Sequence, residues 1–267
     1  LADGKGSGAG EDSCALRVNG CGLDRDRFSS NNATPRTPAC SAVPLRAETN
    51  RAKSPAPNFG GGPPSPGSPF EGRDLLNDPL PTEGTLAWVV AWPKAAKLHA
   101  PHPDAKQTGT VPFQTTVVVS DASVRKRGTL FFPLQDGSGW VEAKAIRRHI
   151  PAPPPEGIAD SAVWVDVEVS QQTPMLMRGS TPIFTTVISS GTGNNPTPLG
   201  LYRMESKLAL TDMRSRAGDE DAYHVEAVPW AMYFDGRFAL HGAYWHNRFG
   251  NRVSHGCINL APKDAKR

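Results

Sequence analysis

The 267-residue sequence predicts a mainly β protein with little helix, and three observations predict it. From residue 85 onward, apolar residues alternate with polar ones or gather in short runs bounded by Gly, Asp and Pro, which is the period of strands. Asp235-Gly236 lies between two such runs and reads as a hairpin turn. Only Pro262, near the C-terminal end, offers a helix start, since proline in a first helical turn gives up no hydrogen bond.

The aromatic residues divide the chain. All six Trp lie between Trp88 and Trp245 and all four Tyr between Tyr202 and Tyr244, whereas residues 1–84 hold eleven of the 26 prolines and only Phe28, Phe59 and Phe70. A segment so poor in large apolar side chains cannot offset the entropy of ordering its backbone, so residues 1–84 are expected to be a disordered Pro/Gly/Ser-rich tail or tether. Within it Ser54–Pro57 and Gly60–Pro66 have the composition of a flexible spacer.

Three of the four cysteines, Cys14, Cys21 and Cys40, fall in that tail; two are expected to pair and one to stand idle or be attached to something. The chain opens at Leu1 rather than Met, with neither a signal peptide nor an apolar run long enough to cross a bilayer, so an upstream segment is expected. A net charge of +3 with scattered basic residues argues against a nucleic-acid partner.

Residues 85–150 read as a small all-β module. Leu86–Trp92, Thr115–Val119 and Leu130–Phe132 are strand-like, and Asp136-Gly-Ser-Gly139 is a turn. The closing Gly139-Trp140-Val141-Glu142 resembles the end of bacterial SH3-like modules, which implies a small barrel. Pro151-Ala-Pro-Pro-Pro155 forbids helix and removes ladder donors, so residues 151–160 are expected to be a linker.

Residues 161–267 form the last unit. Val163, Val165, Val167 and Val169 alternate with Trp164, Asp166 and Glu168, as in a strand with one buried face. Arg178-Gly-Ser180 is a turn and Pro182–Ile188 a second strand. Ser189–Gly200 is a long loop, followed by strand-like Leu201–Met204, Val225–Phe234 and Phe238–His241.

The candidate chemistry sits near the C-terminal end of this unit. A thiol is a useful nucleophile when a base stands close and the thiolate is favoured. His255 is two residues from Cys257, and His241 ends the preceding predicted strand. Gly256 removes bulk beside the thiol, and the Gly256 and Cys257 amides could donate to an oxyanion. Pairing with His241 would lower the thiol pKa by favouring a thiolate–imidazolium state. Two other readings remain open on residue types. His241, His246, His255 and Cys257 are all metal-ligand types, which would suit a zinc-binding hydrolase. Alternatively Cys257 is an ordinary buried thiol in a non-catalytic wall-binding protein.

Leu240-His241-Gly242-Ala243-Tyr244-Trp245 followed by Ser254-His255-Gly256-Cys257-Ile258-Asn259 resembles the signature of the YkuD-type L,D-transpeptidases. Val165–Gln172, Thr197-Pro198-Leu199-Gly200 and Val228–Phe234 resemble further segments of that family, in the same order. The resemblance implies a β-sandwich-like catalytic domain over 161–267. It implies an acyltransferase that forms a thioester on Cys257 with peptidoglycan stem tetrapeptides. The acyl group then passes to an amine of a second stem or of an envelope protein.

By the same resemblance Cys257 is the nucleophile and His241 its base, held by a backbone carbonyl near Gly242. His255 and Gly256 shape the oxyanion site, and Gly242, Tyr233, Trp245, Ser254 and Asn259 lie about the substrate. No cofactor or metal is implied, and the location implied is the periplasm or cell envelope. Family members continue past the cysteine with further helix and a closing strand, so the domain is expected to be cut short at Arg267.

Overall fold

The structure is a computed structural model and describes residues 14–20, 71–91, 96–150, 152–215 and 222–267. Its strands are numbered in chain order. The expected mainly β architecture with little helix is observed: the C-terminal unit is two facing sheets and one short helix, α1 (Pro262–Ala265). One sheet runs edge to edge as β14 (Gly200–Arg203), β1 (Ala15–Asn19), β11 (Val163–Glu168), β12 (Thr173–Arg178), β13 (Thr181–Thr185) and β2 (Arg73–Asp74). The other runs β15 (Ser206–Arg214), β16 (His224–Asp235), β17 (Phe238–Gly242) and β18 (Ile258–Leu260).

Because strand side chains alternate, one face of each sheet supplies the core. Leu16, Val18, Val165 and Val167 of the first sheet meet Phe234, Leu240, Ile258 and Leu260 of the second, with Ala265 of α1 beside them. The Asp235-Gly236 turn joins β16 to β17 with Gly236 at φ 55°, the left-handed backbone that a tight hairpin demands.

Two expectations need correction. The first concerns the tail. Residues 15–19 are a central strand, pairing in parallel with β11 and antiparallel with β14. Leu16 and Val18 are buried, each contributing roughly 1.5–3 kcal/mol from burial. On the other face of this strand, Arg17 grips the buried Asp166 with two hydrogen bonds of 2.7 Å, and Asn19 adds a third at 2.9 Å. Arg17 also donates to the Pro153 carbonyl at 2.6 Å. Residues 71–84 are ordered too: they supply β2 and bury Leu75. The remainder of the expected tail, with its spacer and with Cys21 and Cys40, lies outside the described residues. Cys14 carries a free thiol at the start of β1.

The second correction concerns β11, expected to bury one face. Trp164 is as buried as Val167. Residues 71–80 lie over the outer face of the sheet, where Leu75 joins Trp164, Met175 and Met177 in a second core. The Trp164 indole donates to the Gly179 carbonyl at 2.8 Å, so its one polar atom is satisfied.

Residues 85–150 form two small sheets. One is β10 (Ile146–Arg148), β3 (Thr85–Val89) and β6 (Thr116–Val119). The other is β5 (Gln107–Val111), β4 (Ala96–His99), β9 (Trp140–Glu142), β8 (Thr129–Pro133) and β7 (Val124–Lys126). Val89, Val119, Phe132, Val141 and Ile146 share their core. Of the Gly-Trp-Val run, Val141 fills this core and Trp140 stays half-buried, its indole donating to the Pro101 carbonyl at 3.2 Å.

The opposite face of β3 belongs to a different core. Leu86, Trp88 and Val90 pack on Val187, Ala243, Phe249 and Ala261 of the C-terminal unit. The small sheets therefore brace the chain between β17 and β18.

Candidate functional site

Cys257 stands immediately before β18, and β18 pairs in parallel with β17. That register sets His241 opposite Asn259 and Leu240 opposite Ile258. Cys257 itself lies in the bend that leads into β18, two residues before Asn259, the partner of His241. The thiol also contacts the β16–β17 hairpin: Sγ lies 3.8 Å from the Arg237 carbonyl. Cys257 is half-buried by exposed surface, yet it is enclosed enough for desolvation to dominate. Burial pushes the thiol up, opposed by the Ala239 amide and the Arg237 guanidinium.

His241 is buried at 3% exposure. Its Nδ1 is 3.2 Å from the Gly242 carbonyl, which fixes Nδ1 as the protonated nitrogen and leaves Nε2 as the acceptor. The ring stacks on Trp245 at 5.7 Å. Burial lowers its pKa to about 4, with the Gly242 carbonyl pulling the other way. Desolvation thus disfavours the charged form of both groups, opposing the expected lowering of the thiol pKa.

The turn carrying Cys257 is shaped by Ser254. Its hydroxyl donates to the Cys257 carbonyl at 2.5 Å and accepts the Gly256 amide at 3.1 Å. The Gly256 amide, expected at an oxyanion site, is thus already engaged within the turn. Gly256 sits at φ 113°, and a Cβ there would lie 2.3 Å from the Phe238 ring. Only glycine suits both conditions.

A splint of residues 189–191 holds this turn from beneath. Ser189 and Asn259 exchange backbone bonds of 2.9 Å, and the Ser190 carbonyl accepts the Val253 and Ser254 amides at 3.0 and 3.1 Å. Gln172, itself buried, binds both the amide and the hydroxyl of Ser190. Thr197 Oγ1 accepts the Gly191 amide at 2.9 Å, closing the Ser189–Gly200 loop on itself. Reasoning from sequence placed Gln172 and Thr197 in family-like segments without a role and missed Ser190 and Arg237; polar residues in turn-rich loops give no periodic signal.

The remaining expected residues are not all gathered. Tyr233 pairs with Ala239. Its phenol is raised by burial and by the charge Cys257 would carry, against a lowering hydrogen bond with Thr211. Asn259 Nδ2 lies 3.0 Å from His246 Nε2. Gly242 is buried, with space so tight that a Cβ would lie 2.9 Å from Pro229. Its contact with the site is its carbonyl.

His255 is exposed and its ring stacks on that of Tyr223 at 4.9 Å. With His246 on Asn259 and His255 on Tyr223, the four metal-ligand types are not brought to one point. Among the described residues no group of three His, Cys, Asp or Glu side chains could hold a metal ion. Among the described residues no helix is long and apolar enough to cross a membrane.

The fold and the site together define a β-sandwich with a thiol at the start of one strand and a buried, backbone-anchored imidazole on the neighbouring strand. Residues 162–267 match the family model for YkuD, the L,D-transpeptidase catalytic domain. The chain is 30% identical over 123 residues to YciB of Bacillus subtilis (strain 168), whose name assigns it to the L,D-transpeptidases. That alignment covers 41% of this chain and 60% of YciB.

Among solved structures, an Enterococcus faecium L,D-transpeptidase aligns with a TM-score of 0.37 and 24% identity, covering 41% of this chain and 44% of that one. L,D-transpeptidase 3 from Mycobacterium tuberculosis, in complex with a faropenem-derived adduct, aligns with a TM-score of 0.37 and 20% identity, covering 66% and 89%.

Proposed function

We propose that this protein is a cysteine-dependent L,D-transpeptidase of the bacterial cell envelope, acting on peptidoglycan stem tetrapeptides. The observation that supports the reading is the parallel pairing of β17 with β18, which sets His241 opposite Asn259, two residues from Cys257, within the matched domain.

In the first half-reaction His241 Nε2 takes the thiol proton as Sγ attacks the carbonyl carbon of the third stem residue. The charge on the carbonyl oxygen develops beside the Cys257 amide. The C–N bond then breaks, the leaving D-alanine nitrogen takes the proton back from His241, and a thioester remains on Cys257. In the second half-reaction an acceptor amine attacks the thioester and gives its proton to His241. The C–S bond breaks and the thiol is restored. Because burial disfavours both charged forms, proton transfer accompanies attack and does not precede it. Amines of a second stem peptide or of an envelope protein are the acceptor class.

The test is to incubate the full chain with a disaccharide-tetrapeptide and follow it by mass spectrometry. D-alanine loss and an acyl group on the Cys257 peptide are expected, and Cys257→Ala should show neither. Equal behaviour of wild type and Cys257→Ala would remove the proposal.

A further inference from the structure

We infer that His246 is a positioning residue of the site: with its proton on Nε2 it donates to Oδ1 of Asn259, and so fixes the Asn259 carboxamide with its amino group in the buried position away from the imidazole. The inference rests on the proposed transpeptidase reading only for the reaction that this arrangement serves.

The proton is located by the neighbour of the other ring nitrogen. The Arg248 amide donates to His246 Nδ1 at 3.2 Å, so Nδ1 offers a lone pair. Burial lowers the His246 pKa to about 4, helped by the charges of Arg248 and His241. Near neutral pH the ring therefore holds one proton, and that proton is on Nε2. An N–H needs an acceptor, yet the atom 3.0 Å from Nε2 is Asn259 Nδ2, itself a donor. In the same carboxamide Oδ1 is buried with no hydrogen-bond partner, in a side chain only 4% exposed. A half-turn exchanges two atoms of nearly the same size and removes both faults. The oxygen then meets the Nε2–H, and the amino group takes the place of the orphaned acceptor.

Asn259 pairs with His241 across β18 and β17, so their side chains leave the sheet on one face, from strands roughly 4.8 Å apart. The orientation of the carboxamide decides what lies on that face: an amino group suited to a carbonyl oxygen, in place of an acceptor that would repel one. The imidazole that sets this orientation is itself braced by the small sheets. Its ring lies 4.9 Å from that of Phe249, which packs with Leu86, Trp88 and Val90. Next to it, Asn247 accepts the Gln114 side-chain amide at 2.8 Å.

Two measurements on the full chain test this. The first needs no turnover: with isotope-labelled histidine, long-range proton–nitrogen correlations assign the protonated ring nitrogen of each of the seven histidines. His246→Gln or His246→Met identifies the His246 signals by their loss. Near neutral pH His246 should carry its proton on Nε2 and His241 on Nδ1. A proton on His246 Nδ1, alone or together with one on Nε2, overturns the inference. The second compares acylation of Cys257 by a tetrapeptide donor in the same two variants. His246→Gln still offers Asn259 an N–H and should stay within about 3-fold of wild type in kcat/KM, whereas His246→Met keeps bulk without a donor and should lose about 10-fold or more. A role in packing alone would make His246→Gln the worse of the two, so equal losses or a larger loss in His246→Gln also overturns the inference. If wild type does not turn over the donor, the transpeptidase reading fails while the tautomer still decides on His246.

Discussion

Gln172 and Ser190 are locked together in the interior: the Gln172 amide donates to Ser190 Oγ at 2.6 Å, and Ser190 N donates to Gln172 Oε1 at 2.8 Å. Ser190 in turn supports the Val253 and Ser254 amides. Replacing Gln172 by Met keeps bulk but strands a buried N–H and a hydroxyl, each costing about 1–3 kcal/mol. Gln172→Met is therefore expected to lower thermal stability by several degrees and to slow acylation of Cys257 more than global unfolding accounts for. Calorimetry and acylation rates on the same sample check this.

Desolvation of the pair sets a pH profile. Burial holds the Cys257 thiol above its ordinary value of 9.0, so alkylation by neutral iodoacetamide should be slow at neutral pH and rise about 10-fold per unit toward pH 9. A plateau between pH 6 and 8 would instead reveal a thiolate–imidazolium pair.

His149, His241 and His246 all have their pKa lowered from 6.5 to about 4, mainly by burial. Above pH 6.5 both folded and unfolded forms are neutral there, and these groups leave stability unchanged. Between about 6.5 and 4 the unfolded chain binds protons that the folded chain refuses. Stability then falls with pH by up to about 1.4 kcal/mol per unit for each histidine. Melting temperatures across that window should drop steeply, and His149→Leu should flatten the slope.

Gly256→Ala meets two obstacles, a φ of 113° and a Phe238 ring atom 2.3 Å from the new Cβ. The backbone strain alone costs about 1–3 kcal/mol. Acylation of Cys257 should fall by at least about 100-fold. Adding Phe238→Ala relieves only the contact, so the double variant should stay well below wild type.

Arg17→Ala leaves the Asp166 carboxylate, 7% exposed, with Asn19 as its remaining partner on β1. Breaking a buried pair from one side costs about 3–5 kcal/mol. The expected readout is a lower denaturation midpoint with Cys257 chemistry unchanged in whatever remains folded, whereas Arg17→Lys should recover part of the loss.

Much of the site was legible because its signals are local. Asp235-Gly236 predicts the β16–β17 hairpin, and the run Ser254–Asn259 marks the turn. His241 falls at the end of an apolar strand. Composition misled at residues 15–19, since a five-residue strand is diluted within 84 residues of prolines and glycines. The alternation Leu16-Arg17-Val18 is too short to stand out, and its partners are distant in sequence. β15 escaped notice for a different reason: most of its side chains face solvent, so no apolar period announces it. The direction of the thiol's shift was illegible too, because desolvation depends on what the fold places around Cys257 and His241.

The position of β1 in mid-sheet has a consequence for how the chain is made. Arg17 and Asp166 are separated by 149 positions, and β14, the other neighbour of β1, is made later still. At roughly 5–20 residues per second on the ribosome, the first of these strands to emerge waits on the order of ten seconds for its neighbours to be synthesised. During that wait Leu16 and Val18 have no sheet to join, so the nascent chain carries an unmatched sticky edge that a chaperone or a second ribosome's product can reach first.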